Sequence, residues 1–185
     1  MPIVIGARPE SPFTNPIGLL GDCHRRIERF LDILVHVAEH ARGESLTGEQ
    51  RSAWDTALRY FREAAPKHTA DEEESLFPRL RAIDTPQVRA LLERVASLEA
   101  DHASAEAIHA EVDILGCAWL RQGTLPPEQA ARLIAILAQL RDLYRRHIAI
   151  EDHEVFPLAT AALSPSDRQA IGHEMASRHG LKTSV

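Results

Sequence analysis

The chain has 185 residues, with 21 Lys and Arg against 27 Asp and Glu, a net charge of −6 and a composition rich in Ala, Leu, Arg and Glu. That length sustains one domain with its own core, the residue types favour helix, and the acidic balance excludes the electrostatic footprint of a nucleic-acid binder. No apolar run is long enough for a membrane span, no basic-then-apolar segment opens the chain, and two cysteines, Cys23 and Cys117, make no disulfide framework, so a cytoplasmic protein with reduced thiols is expected.

Residues 1–14, with three prolines and no helical period, read as an extended arm laid over the helices. Asn15 and then Pro16 predict a helix start, a capping side chain before a proline in the first turn. The apolar stripe of this helix runs Ile17, Leu20, His24, Ile27, Leu31, Leu34, Ala38, in alternating steps of three and four, with His24 its polar member. Gly43 ends this helix, and Thr47 with Gln50 forms a capping box for the next. The second seam is Trp54, Leu58, Phe61, Ala65, His68, Glu72, Leu76, kinked by Pro66 and bent or ended by Pro78. Thr85–Pro86 opens a third helix with the seam Leu91, Val95, Leu98, His102, Glu106, His109, Val112, which ends at Gly123. "TLPPEQ" opens the fourth, whose seam is Leu133, Leu137, Leu140, Tyr144, His147, Glu151, Val155, Leu158. Ser164–Pro165 caps a short last helix through about Arg178. Four long helices with short links and no strand pattern predict an all-α, antiparallel up-down-up-down bundle over 15–163, with a short helix and tail over 164–185.

Two stretches repeat one pattern. "HTADEEESLFP" at 68–78 and "HIAIEDHEVFP" at 147–157 both read His-x-x-x-Glu-x-x-x-x-Phe-Pro. At about 1.5 Å per helical residue, His24 and His68 lie nearly level across the first loop, as do His102 and His147 across the third. The second loop leaves Glu72 and His102 about 10 Å out of level, so residues 86–94 are expected to form an offset or separate segment. With that offset, His24, His68, Glu72, His102, Glu106, His147 and Glu151 converge in one interior layer. Such a layer is costly unless a cation fills it, and imidazole with carboxylate suits iron, manganese or zinc. His and Glu four apart share a helix face, so two such pairs make a two-metal site more natural than one.

A lone His on the first helix, His-x-x-x-Glu before Leu-Phe-Pro, a third His, and a second His-x-x-x-Glu before Phe-Pro resemble the hemerythrin-like (HHE cation-binding) domain family. "DCHRRIERFLDIL" and the closing "EM-x-x-R" resemble a bacterial branch of it. The resemblance covers roughly 15–180 and implies a four-helix bundle around two non-haem irons, with zinc, manganese or nickel as substitutes. It implies His24, His68, His102 and His147 as terminal ligands, and Glu72 and Glu151 as bridging carboxylates. Oxygen-carrying hemerythrins have a second His one turn beyond the third-helix ligand; here that position is Glu106, an anionic oxygen donor that weighs against reversible oxygen carriage. The function implied is binding of, or reaction with, oxygen, nitric oxide or peroxide, in oxidative or nitrosative stress or iron handling. The alternative is a metal store or metal-dependent sensor without turnover. The related iron–sulfur repair proteins carry a Cys-containing N-terminal module, which this arm lacks.

Other polar residues have plainer readings. His109 is expected as a pocket residue, with ligation the alternative; Tyr144 closes the pocket, bonds a bound oxygen, or simply packs. Glu73, Glu74, Asp152 and Glu154 read as polar helix faces, with Glu73 and Asp152 also placed to back up a ligand. Cys23 reads as a small packing residue, Glu28 as solvated, and His36, His40, His153, His173 and His179 as surface.

Overall fold

The computed structural model describes residues 11–181. The expected all-α fold is what it shows: among the described residues there are helices and no strands. The first rod is α1 (Pro16–Ala41), capped by the Asn15 side chain, which accepts from the Gly18 N–H. The second rod joins α2 (Gly48–Glu63), α3 (Ala65–Ala70), a π-helical turn (Asp71–Leu76) and α4 (Phe77–Arg81). The Thr47–Gln50 capping box is present in both directions, and the rod breaks at Ala64, ahead of Pro66. The third rod is α5 (Pro86–Gln122). The fourth joins α6 (Pro127–Ile150), a second π-helical turn (Glu151–Val155) and α7 (Phe156–Ala162). A last helix, α8 (Pro165–Arg178), starts at a Ser164 cap and ends where the sequence predicts.

The rods close a ring in chain order: α1 packs on α2 and α6, and α5 packs on α2 and α6. The linker near Gly43 meets the one before α6, where the Leu125 N–H donates to the Gly43 carbonyl at 2.7 Å. Two apolar clusters fill the ring. One runs from Ile27 and Ala65 up to Trp54 and Trp119. The other holds Leu20, Leu76, Phe77, Leu98, Val155 and Phe156, together with Ile171 and Met175 of α8. The polar seam residues lie between the two clusters.

Both π-helical turns fall on the repeated pattern. The Phe77 N–H donates to the Glu72 carbonyl and the Phe156 N–H to the Glu151 carbonyl, each five residues back. The cause is the proline that comes next. Pro78 and Pro157 have no N–H to continue the α ladder, and a proline ring crowds the carbonyl four residues back. Widening the turn by one residue relieves that crowding without breaking the rod, and such bulges recur at functional sites. The extra residue also moves the seam, so Ala159 is buried on α7 where Leu158 was expected.

One expectation needs correction. Residues 86–94 do not form a separate segment, because α5 is continuous from Pro86. Residues 83–85, outside any helix, link the second rod to α5. Of the N-terminal arm, residues 1–10 lie outside the described residues. Its described end runs beside α1 and α8: the Ser11 N–H donates to Asp22, and the Phe13 carbonyl occupies the space that a Cβ on Gly172 would need.

Candidate metal centre

Each rod contributes to one layer because its seam continues through it. His24 follows Leu20 on α1; His68 and Glu72 follow Ala65 on the second rod; His102 follows Leu98 on α5; His147 and Glu151 follow Leu143 on the fourth. Glu72 and Glu151 have no solvent exposure, and His24 has 1%.

The imidazoles turn Nε2 inward onto the two carboxylates. His68 Nε2 is 3.4 Å and His24 Nε2 3.7 Å from Glu72 Oε1, while His102 Nε2 is 3.3 Å from the other oxygen, Oε2. His24 and His147 each place Nε2 3.1 Å from Glu151 Oε2. The donors form two groups, His24, His68, Glu72 and Glu151, and Glu72, His102, His147 and Glu151, within which the donor atoms lie no more than 4.8 Å apart. Both carboxylates belong to both groups, so the layer offers two neighbouring positions with shared bridges.

The outward ring nitrogens are held by acids. His24 Nδ1 is 2.8 Å from Asp152 Oδ1, and His102 Nδ1 is 2.8 Å from Glu73 Oε1. These acids directly follow the two central glutamates, so each copy of the repeat steadies the histidine of a neighbouring rod. Such contacts fix the tautomer and raise imidazole basicity. His147 Nδ1 faces Asp101 at 3.6 Å, longer than a hydrogen bond, and His68 Nδ1 has no partner among the described residues.

Charge in the layer is set by these contacts. Burial works against a charged His24, but Asp152, Glu151 and Glu72 outweigh it and raise its pKa well above the ordinary value. Burial likewise opposes charge on His102, yet Glu72 and Glu73 lift it to about 9. Burial dominates at His68 and lowers it. Burial would raise Glu72, but His68, His102 and His24 hold its carboxyl well below the usual range.

Among the described residues, the carboxylate oxygens of Glu72 and Glu151 make no well-formed hydrogen bond, although the inward Nε2 atoms face them at 3.1–3.7 Å. Buried ionised oxygens without donors are costly. A pair of divalent cations would satisfy all four oxygens and the inward Nε2 atoms together, so this donor set fits a metal pair.

Six of the seven expected site residues thus meet. Glu106 does not join either group: it is solvent-exposed. After His102 the seam of α5 takes a step of three, so Ala105 (4% exposed) faces the interior at that turn and Glu106 turns outward. His109 is not in the groups either; it lies in a cleft wall with its Nε2 2.9 Å from the Tyr144 hydroxyl. Cys23 is buried, and its Sγ accepts from Arg26. His179, expected at the surface, instead puts Nε2 3.0 Å from Oδ2 of Asp71, a fully buried acid that Arg178 also contacts. Asp71 was missed because its partners lie more than 100 residues away.

The comparisons with known proteins agree with this geometry. A Haemophilus influenzae protein, described only as an uncharacterized protein, is 27% identical over 171 residues, 92% of this chain and 93% of its own. The sequence profile of the hemerythrin HHE cation binding domain matches residues 15–159, the span that contains both copies of the repeat and all six converging side chains. With that match over most of its length and a buried layer of histidines and shared glutamates, the chain belongs to the hemerythrin HHE cation-binding domain family.

Proposed function

We propose that the protein holds two iron ions in this layer and binds or reacts with a small ligand, oxygen, nitric oxide or peroxide, beside them. Glu72 and Glu151, common to both donor groups, would be shared between the two ions, with His24 and His68 holding one and His102 and His147 the other. The observation that carries the reading is the set of four buried carboxylate oxygens that make no well-formed hydrogen bond, facing inward Nε2 atoms in two groups that share both glutamates. Iron bound there supplies the redox chemistry for such ligands.

The chain's own groups do the rest. Asp152 and Glu73 hold the Nδ1 protons of His24 and His102, so that Nε2 is the nitrogen that coordinates once its own proton is displaced. Phe156 stacks on the His24 ring at 5.1 Å and, with the apolar clusters on either side, excludes bulk water from the layer. A void of about 10 Å³ touches all four histidines, room for one water-sized group. A second reading, a metal-dependent sensor without turnover, draws on Asp71, which ties the turn carrying Glu72 to Arg178 and His179 at the end of α8.

The test is metal content and the near-ultraviolet and visible spectrum of untagged protein, before and after anaerobic reduction. The expected result is about two irons per chain with a reduction-sensitive charge-transfer band. Protein that takes up no iron under ferrous, anaerobic conditions would sink the proposal. Turnover of peroxide separates the reactive reading from the sensor.

A further inference from the structure

Ile27 and Tyr144 are among the residues that line the void at the four histidines. Outside it, between the second rod and α5, lies a surface cleft of about 490 Å³ whose wall includes Phe61, Glu73, His102, His109 and Tyr144. Ala65, Thr69, His102 and Tyr144 border both spaces. They form the partition between solvent and the layer, and Tyr144 is the largest side chain in it that is not one of the converging histidines.

Few donors can face a ligand in that void. The inward Nε2 atoms point at the carboxylates, the helical N–H groups are used in their ladders, the Nδ1 atoms of His24 and His102 are held by acids, and only the Nδ1 atoms of His68 and His147 are left without a hydrogen-bond partner among the described residues. Two hydroxyls border the void, Thr69 and Tyr144. Only the Tyr144 hydroxyl has a fixed side-chain partner among the described residues, His109 Nε2 at 2.9 Å. His109 is itself held, its ring stacked on Phe61 with centroids 4.4 Å apart. Burial depresses its basicity to about 4, so the ring is neutral near pH 7 and one ring nitrogen carries a single proton. With that proton on Nε2, the imidazole donates to the phenol oxygen and leaves the phenol proton free to turn into the void.

We propose that Tyr144 is the specificity-determining hydrogen-bond donor for a small anion or polarised diatomic in the void, that His109 is the positioning residue for its hydroxyl, and that ligands enter through the cleft between the second rod and α5. The inference rests on the proposed metal pair, since the ligand is held between those ions and Tyr144.

Azide, a small anion, is the probe, titrated against iron-loaded protein with metal content measured on each variant beforehand. One hydrogen bond to an anion is a factor of about ten or more in affinity. Tyr144→Phe and His109→Phe are expected to keep the wild-type metal content and bind azide about tenfold more weakly, through faster dissociation. His109→Gln, which keeps a donor, stays within about threefold of wild type. A purely packing role for His109 would instead leave the Gln variant as weak as the Phe variant. Ala103→Trp, on the exposed wall of the cleft, slows azide association about tenfold and leaves the equilibrium affinity unchanged. A metal-replete Tyr144→Phe that binds azide like wild type would overturn the role of Tyr144, and unchanged association in Ala103→Trp would overturn the route. Wild-type protein without metal would overturn the metal reading and this inference with it, and is seen before any azide is added.

Discussion

At His102 one imidazole meets two glutamates, Glu72 on Nε2 and Glu73 on Nδ1, and holds its proton up to about pH 9. A metal must displace the proton on Nε2. Metal binding near pH 7.5 is therefore expected to release protons, and apparent affinity to rise with pH until His102 is neutral without metal. Calorimetry in buffers of different ionisation enthalpy measures this; zero release would show that the imidazoles are already neutral. Asp152 and Glu73 act one step further out. Asp152→Asn and Glu73→Gln should each weaken metal binding by about 10- to 100-fold, read by competition with a chelator, while the protein stays folded. Equal affinity would mean that the ring orientations are set by packing alone. His109 carries a different linkage. Its folded pKa of about 4 lies below the unfolded value of about 6.5, so between those pH values the unfolded chain binds more protons. Stability of the metal-free protein should therefore fall as pH drops from about 6.5 to 4, by up to about 3 kcal/mol from this residue. His109→Gln should flatten that part of the profile; an unaltered slope in urea titrations across the range would rule the residue out.

On the element scale, α8 acts as a clamp on the first π-helical turn. Asp71 is fully buried, and Arg178 and His179 at the end of α8 supply its contacts, while Arg79 makes a two-pronged pair with Glu174 beside them. Removing one partner of a buried pair strands the other charge, which costs about 3–5 kcal/mol. Arg178→Ala should approach the lower figure, because His179 remains, and pairing it with Asp71→Asn should recover a good part of the loss. A thermal melt that shows equal damage in the single and double variants would mean that α8 docks through its apolar face alone. Much at this scale was legible in the sequence. The starts at Asn15, Thr47, Thr85 and Ser164 are local side-chain caps, and the seam from Ile17 to Ala38 is buried throughout. Glu106 misled because steps of three and four both keep to a helix face; only packing against the second rod selects Ala105. The widened turns at Glu72 and Glu151 were hidden because Pro78 and Pro157 permit a kink, a stop or a bulge, and the tertiary frame decides. The Asp71 contacts with Arg178 and His179 leave no local trace in the chain.

The whole molecule is two apolar clusters separated by a charged layer, and that arrangement links metal to stability. Without a cation, the layer buries two glutamates whose oxygens make no well-formed hydrogen bond, offset only by the imidazoles that face them. The apolar clusters continue on either side, so the metal-free chain should still fold, but with the layer as its weakest part. A ligand that binds only the folded state stabilises it by RT ln(1 + [L]/Kd), about 4 kcal/mol at a thousandfold excess over Kd. For a domain of this size that is a rise in Tm on the order of 10 °C. Wild-type protein should therefore melt markedly lower after chelation and recover when metal is restored. Glu72→Gln with Glu151→Gln should behave in the opposite sense. Lacking both carboxylates, the variant should bind little metal and show no shift on adding it. Having no buried anions to leave unpaired, it should melt above the chelated wild type. The two proteins thus exchange order as metal is added. If instead the glutamine variant melts below the chelated wild type, the carboxylate–imidazole contacts stabilise the layer on their own. The glutamates would then be structural ion pairs rather than groups kept for a cation.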